Sequence, residues 1–296
     1  MKIASIVVAV DFSDHARHAA DRAAMLAAEQ GAQLDLVHVI NGSSLERLHN
    51  WIGAPANAEE LLRDDTERSL NDMIEDIAGK REIAARAVVK TGHVLNQILS
   101  ESESADLLVL GSHGRNPLRD LILGTTAERL LGKSKRPVLV AKRPPRAMYE
   151  QVIVPVDFSA YSAPALRLSR LIAPTARITM VHAFRVPFEG RLRMAGAAEE
   201  SILAYSEEER EEAVKKIKDL IRSSGDDAVR MSYVVELGDI SRVILAQEQK
   251  SSADLIVIGK HGRSMVEEWL LGGVTRHVLA GSTCDVLVAH ERAEVG

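Results

Sequence analysis

Three glycines and two neighbouring threonines give the first sign of chemistry. After the apolar run Leu107-Leu108-Val109-Leu110 come Gly111-Ser112-His113-Gly114, nine further residues, and Gly124-Thr125-Thr126-Ala127-Glu128. A glycine leaving the carboxyl end of a central strand lets a phosphate or a ribose approach the backbone with no Cβ in the way. Gly114 is expected to shape the turn. Thr125 to Glu128 fits a capping box, so a helix should begin there with unbonded N–H groups and its positive dipole end directed above the sheet. These are the parts of a phosphate cradle. The alternative is that the glycines punctuate turns and Thr125 only caps a helix. The same spacing returns later as Gly259-Lys260-His261-Gly262 with Gly272 after nine residues, and this repetition favours the cradle.

A cradle of that kind needs a buried sheet to hold it, and the chain carries the pattern of one twice. Ile6 to Ser13 is echoed by Val152 to Ser159, with Asp157 minus Asp11 giving an offset of 146. Leu36-Val37-His38-Val39-Ile40 is echoed by Met180-Val181-His182-Ala183-Phe184, and Ala105 to Arg115 by Ala253 to Arg263, where 259 minus 111 is 148. Pro137 to Val140 lines up with Asp285 to Val288, again at 148, so one domain has been duplicated. The seam Lys142-Arg143-Pro144-Pro145-Arg146 forbids a continuous helix and is too short for a long tether. Domains are therefore expected at 1–143 and 149–296, packed on each other.

Within each half, short runs of Val, Ile and Leu alternate with segments of helical period, which implies an α/β fold with crossover connections and a parallel sheet covered on both faces. Strands are expected near 3–10, 33–40, 83–90, 106–111 and 137–142. A helix near 14–30 should bury Ala16, Ala19, Ala20, Ala23, Ala24 and Ala27 and end at Gly31. A helix near 58–79 carries Leu62, Thr66, Leu70, Met73, Ile74 and Ile77 at spacings of three and four. Its counterpart near 198–223 turns Ala213, Val214, Ile217, Leu220 and Ile221 inward and leaves Glu207 to Glu212 as a solvated face.

Composition narrows the classes. The 296 residues are 46% hydrophobic and 27% charged, as in a folded globular protein, and the net charge of -5 provides no general field for nucleic acid or an anionic membrane. Aromatic residues are only 3%, which argues against a base-stacking platform. Cys284 is the single cysteine, excluding an intrachain disulfide, a multi-cysteine zinc site and an iron–sulfur cluster, and fitting a reducing cytoplasm. Its place is that of a small core filler. The apolar start from Ile3 to Val10 stops at Asp11, too short for a membrane span and without a secretory signal's basic start.

The pattern Gly-x2-Gly-x9-Gly followed by Ser or Thr, after an apolar strand, resembles the nucleotide-binding signature of the universal stress protein family. Val7-Val8-Ala9-Val10-Asp11-Phe12-Ser13 and Val37-His38-Val39-Ile40 resemble it too, so with the duplication the likeness covers nearly the whole chain. The resemblance implies five parallel strands per domain in the order 3-2-1-4-5, with ATP held by many members, Mg2+ accompanying it, and no catalysis required. It implies that Ala9, Val10, Asp11 and the backbone of Val39 contact adenine and ribose, and that Gly111, His113, Gly114, Gly124, Thr125 and Thr126 surround the phosphates. It also implies that the last strands, Pro137 to Val140 and Asp285 to Val288, pair with each other as an intrachain pseudo-dimer, with a homodimer of chains beyond that.

Asp11 has two readings: an acceptor for ribose hydroxyls or the adenine amino group, or an Asx turn leading into Ser13 and Asp14. In the second half the matching positions are Asp157, Gly259, His261, Gly262, Gly272, Gly273 and Thr275. There Gly273 replaces the Ser or Thr of the pattern, and Lys260 replaces Ser112, either attracting a phosphate or filling the pocket. Thr275 is expected to recover a hydroxyl contact two residues on, so ATP should bind in the first half and more weakly, or not at all, in the second. Other features are set aside. Gly132-Lys133-Ser134 ends like a Walker loop, but Ala127 stands where that loop requires glycine, and no Gly-x-Gly-x-x-Gly follows either first strand. His15 and His18 are read as a solvent-facing pair in the absence of a third metal ligand, and His38 and His182 as hydrogen-bonded groups at strand ends. With no carboxylate pair, Walker lysine or base for an attacking water near the glycines, a nucleotide-dependent regulatory module is favoured over a weak ATP hydrolase or phosphotransfer enzyme. A nucleotide-free carrier of an apolar ligand, suggested by the insertion from Phe184 to Ala198, is the third reading.

Overall fold

The computed structural model describes residues 2–43, 57–79, 81–114, 123–196, 198–224, 230–262 and 271–290. The chain divides into two units. The first gathers residues 1–148 and the segment Asp285–Val288; the second gathers Tyr149–Cys284 with the residues just after Val288.

In the first unit β1 (Ser5–Ala9) leads to α1 (Asp14–Gln30), β2 (Gln33–Asn41), α2 (Ala58–Ala78) and β3 (Ala84–Gly92). There follow α3 (Val94–Glu103), β4 (Leu107–Gly111), α4 (Thr125–Lys133) and β5 (Val138–Ala141). The strands run in the order β3-β2-β1-β4-β5, all parallel, which is the order the resemblance implies. The pure Val, Leu and Ile runs of β1, β4 and β5 are buried on both faces, whereas β3 carries Arg86 and Lys90 and stands at one side. Beyond β5 lies β10 (Asp285–Ala289), antiparallel, with Val286, Leu287 and Val288 opposite Val140, Leu139 and Val138. An ion pair accompanies this pairing. Arg22 Nε of α1 meets Asp285 Oδ2 at 3.2 Å with both side chains buried, Arg22 Nη1 donates to the Ala147 carbonyl, and the Lys142 N–H donates to Asp285 Oδ1.

Local sequence explains the helices. Ser13 caps α1 by accepting the Ala16 N–H, and Gly31 closes it at φ 61° with its N–H on the Ala27 carbonyl. All six alanines of the expected face are buried, so α1 lies close on the sheet. In α2 only the second half behaves as its period suggests. Leu70, Met73 and Ile77 are buried, but Leu62 is 40% exposed, so the apolar period runs into the first turns of α2 without the burial.

The second unit repeats the plan with β6 (Gln151–Pro155), α5 (Ser162–Ile172), β7 (Arg177–Phe184), α6 (Glu189–Met194) and α7 (Glu199–Ser223). It continues through β8 (Met231–Leu237), α8 (Ile240–Ser251), β9 (Leu255–Gly259) and α9 (Gly273–Gly281). Its strands run β9-β6-β7-β8, parallel, and the Lys260 N–H donates to the Ala289 carbonyl, which sets the end of β10 beside β9. The insertion carries the short helix α6, with Phe188 72% and Met194 90% exposed. No described helix is long and apolar enough to cross a membrane.

Candidate functional site

The turn after β1 is built the same way in both halves. Asp11 Oδ1 accepts the Ser13 N–H at 3.0 Å and the Ser13 hydroxyl at 2.6 Å, so the Asx turn is real. Phe12 between them is forced to φ 63°, a left-handed conformation costly for an aromatic residue, and its ring lies 4.8 Å from that of His38. The His38 Nδ1–H donates to the Val10 carbonyl at 2.7 Å. In the second half the Ser159 N–H reaches Asp157 Oδ1 at 3.0 Å, Phe158 has φ 61°, and its ring lies 4.7 Å from His182, which donates to the Val156 carbonyl. One hydroxyl differs: Ser162, not Ser159, donates to Asp157 Oδ1.

The glycines are needed for reasons the spacing does not reveal. A Cβ on Gly111 would sit 2.7 Å from the His15 backbone carbonyl, so the close approach of α1 to β4 by itself requires this glycine. Gly259 has the same role against Tyr161, whose Cβ would lie 2.6 Å away. Gly114 is not in the left-handed region. A Cβ there would come within 2.9 Å of Asp11 Oδ2, and one on Gly262 within 2.8 Å of Asp157 Oδ2. Each second glycine thus vacates the space that its aspartate occupies. Gly124 differs again, since a Cβ there meets only ordinary contacts. The capping box is also corrected. Gly124 is the N-cap of α4, with no side-chain cap, and Thr125 is the first helical residue, because the Gly124 N–H is held on the Ser112 carbonyl and places the helix start one residue early.

At the carboxyl ends of β1, β2 and β4 lies a cavity of about 200 Å3. Its wall brings together Ala9, Val10, Asp11, Val39, Gly111, His113, Gly114, Gly124 and Thr126; Thr125 lies outside it. His38 lines it as well, so a residue read as a plain strand-end hydrogen-bonder is both that and part of the cavity. Sequence reasoning missed Val94 and Ile98 of α3, which complete the apolar side. The second unit has a cavity of about 140 Å3 in the matching place, and all seven expected residues line it: Asp157, Gly259, His261, Gly262, Gly272, Gly273 and Thr275. Tyr161 and Ile240 were missed there. Ile240 stands 146 residues after Val94, the offset of the first repeat, and carrying that offset along α8 would have found it.

Thr275 lines the second cavity as its match Ala127 lines the first, and its hydroxyl donates to the Gly259 carbonyl at 2.8 Å. One expectation for the second half is corrected. Lys260 neither lines the cavity nor fills it; it is only 4% exposed and lies with His261 and His290 at the end of β9. Burial, with the charges of Lys260 and His261 alongside, pushes His290 down to about 3. In the first half His15 has a ring partner beyond His18: the rings of His15 and His113 are 5.0 Å apart, and those of His15 and His18 6.2 Å. Among the described residues no group of three His, Cys, Asp or Glu side chains is disposed to hold a metal ion.

Comparison with known proteins gives the same picture of duplication. The model of the universal stress protein family matches residues 2–142 and again 148–290. Universal stress protein Mb2028c of Mycobacterium bovis is 25% identical over 302 residues, covering 97% of each chain. Universal stress protein MJ0531 of Methanocaldococcus jannaschii is 30% identical over 146 residues, which is 47% of this chain and 82% of that one. The crystal structure of a universal stress protein from Archaeoglobus fulgidus aligns over 97% of this chain and 98% of its own with a TM-score of 0.72, at 18% identity.

Proposed function

The chain belongs to the universal stress protein family in both of its halves, and from that premise we propose that its first half binds ATP and that the protein acts in the cytoplasm as a nucleotide-dependent regulatory module. The observation that carries this reading is the placement of Asp11. One carboxylate oxygen is fixed in the turn by Ser13, and the other faces the notch left by Gly114 on the cavity wall. In this reading Asp11 accepts from a ribose hydroxyl, Val37, Val39 and Leu110 flank the base, and the backbone from Gly111 to Gly114 and from Gly124 to Thr126 receives the phosphates. Mg2+ arrives on the phosphates and keeps its waters, which suits a site offering backbone donors rather than a protein cage. Binding rather than hydrolysis is favoured by the wall itself, whose described residues hold one carboxylate and no lysine.

Calorimetric titration of the full chain with Mg-ATP tests the proposal. Binding that disappears in Gly114→Val, with the fold intact by circular dichroism, is the expected result. Unchanged affinity in that variant would remove the first cavity as the site.

A further inference from the structure

The two cavities share one end and differ at the other. We infer that the cavity of the second unit takes a nucleoside carrying at most one phosphate group, not a triphosphate. The inference rests on the nucleotide reading of the first cavity and goes beyond it by assigning a different ligand to the second.

The shared end is the one that would hold base and sugar. Asp157 is fixed in the same Asx turn as Asp11, and its second oxygen faces the Gly262 notch as that of Asp11 faces Gly114. Val181, Ala183 and Ile240 line the second cavity where Val37, Val39 and Val94 line the first. A carboxylate and an apolar slot are therefore present in both.

Among the described residues the other end has lost a side-chain donor. Thr126, which lines the first cavity, is replaced by Val274; Thr125, which lies outside that wall, is replaced by Gly273. The one hydroxyl left at this helix start, on Thr275, has its proton engaged by the Gly259 carbonyl. The Gly272 N–H is engaged by the Lys260 carbonyl just as the Gly124 N–H is by the Ser112 carbonyl, so this end differs in side chains and not in that backbone bond. Tyr161 stands in the wall with its ring 5.6 Å from that of His261, whereas the matching His15 lies outside the wall of the first cavity. The cavity volume is about 200 Å3 in the first unit and about 140 Å3 in the second. The backbone N–H groups of Gly273 and Val274 at the first turn of α9 still offer a place for one phosphate group, and without the Thr126 hydroxyl the second cavity is the poorer of the two for a triphosphate.

The test uses the full chain with the first cavity blocked by Gly114→Val or, independently, by Asp11→Ala, each confirmed folded by its melting curve. Titration with adenosine, AMP and Mg-ATP is expected to show AMP binding at least tenfold tighter than Mg-ATP, with the binding lost in Asp157→Ala. Mg-ATP binding as tightly as AMP, or none of the three binding, would overturn the inference. A gain-of-function arm separates chemistry from damage. Gly273→Thr with Val274→Thr and Thr275→Ala rebuilds the first cavity's helix start, and nothing lies within 4 Å of a Cβ placed on Gly273, so the first change fits. This variant should gain tenfold or more in affinity for Mg-ATP; no gain would overturn the role given to the hydroxyls. Failure of the first-cavity reading has its own signature, wild-type chain whose Mg-ATP binding ignores Gly114→Val, and leaves the AMP comparison readable through Asp157→Ala.

Discussion

Gly114 and Gly124 look alike in the sequence, and the structure separates them. A single methyl on Gly114 must displace the Asp11 carboxylate, whereas one on Gly124 meets only ordinary contacts. Gly114→Ala is therefore expected to weaken ATP binding by about ten- to a hundredfold, the cost of ~1.5 to 3 kcal/mol for a lost hydrogen bond to a charged group. Gly124→Ala should stay within about threefold, and parallel calorimetry of the two variants decides. The spacing marked both residues correctly as cavity positions, but why each is glycine depends on what approaches it from far along the chain. His15 approaches Gly111 and Asp11 approaches Gly114, and no local pattern encodes such approaches. His290 supports a second prediction. Its folded pKa of about 3 lies below the ordinary value of 6.5, so the unfolded chain binds the extra proton first as pH falls. The native state is unpenalised above pH ~6.5 and loses stability progressively as pH falls from there toward about 3. His290→Gln should flatten this loss, by on the order of 2 kcal/mol at pH 5 relative to pH 7, in denaturant titrations at the two pH values.

At the level of elements, the start of α1 joins fold to site. Ser13 closes the Asx turn on Asp11 and caps the helix with the same hydroxyl oxygen. Ser13→Ala is expected to cost about 1 to 2 kcal/mol by thermal denaturation and to weaken ATP binding as well, because Asp11 loses its anchor. A variant that lost stability and kept its ATP affinity would uncouple the two roles. Arg22 shows the opposite case, an element tied down away from the cavity. Its removal takes the guanidinium counter-charge from the buried carboxylate of Asp285, so Arg22→Ala should destabilise by about 3 to 5 kcal/mol, read by urea unfolding, with little effect on ATP affinity. The helices and strands themselves were largely legible. The alanine face of α1 and the unbroken Val and Leu runs of β4 and β5 carry strong local signals. The exposed first half of α2 was not, since Leu62 keeps the period and is nevertheless 40% exposed. An arginine buried on an alanine-rich face was also invisible, because its partner lies 263 residues away.

For the whole molecule, the repeat arithmetic showed two halves, and the structure adds that Asp285–Val288 groups with the first unit although it is the last strand of the second repeat. The pairing of these strands is the one the resemblance implies; no spacing in the sequence marks it, since an antiparallel match between Val138-Leu139-Val140 and Val286-Leu287-Val288 suits any two short apolar runs. A chain ending at Cys284 should therefore lose amide protection in β5, and not only in the second half, when followed by hydrogen exchange. Protection of β5 equal to that of the full chain would show that β10 contributes nothing to the first sheet. The arrangement also sets a timetable for biosynthesis. The ribosome must make roughly 140 more residues after β5 before the strand that covers it exists, a wait of about 7 to 30 s at ordinary elongation rates. During that interval a newborn chain exposes an apolar strand edge and a buried-type arginine whose counter-charge has not been translated. The first half should therefore depend on holding chaperones, or on slow refolding in their absence, more than its own good secondary structure suggests.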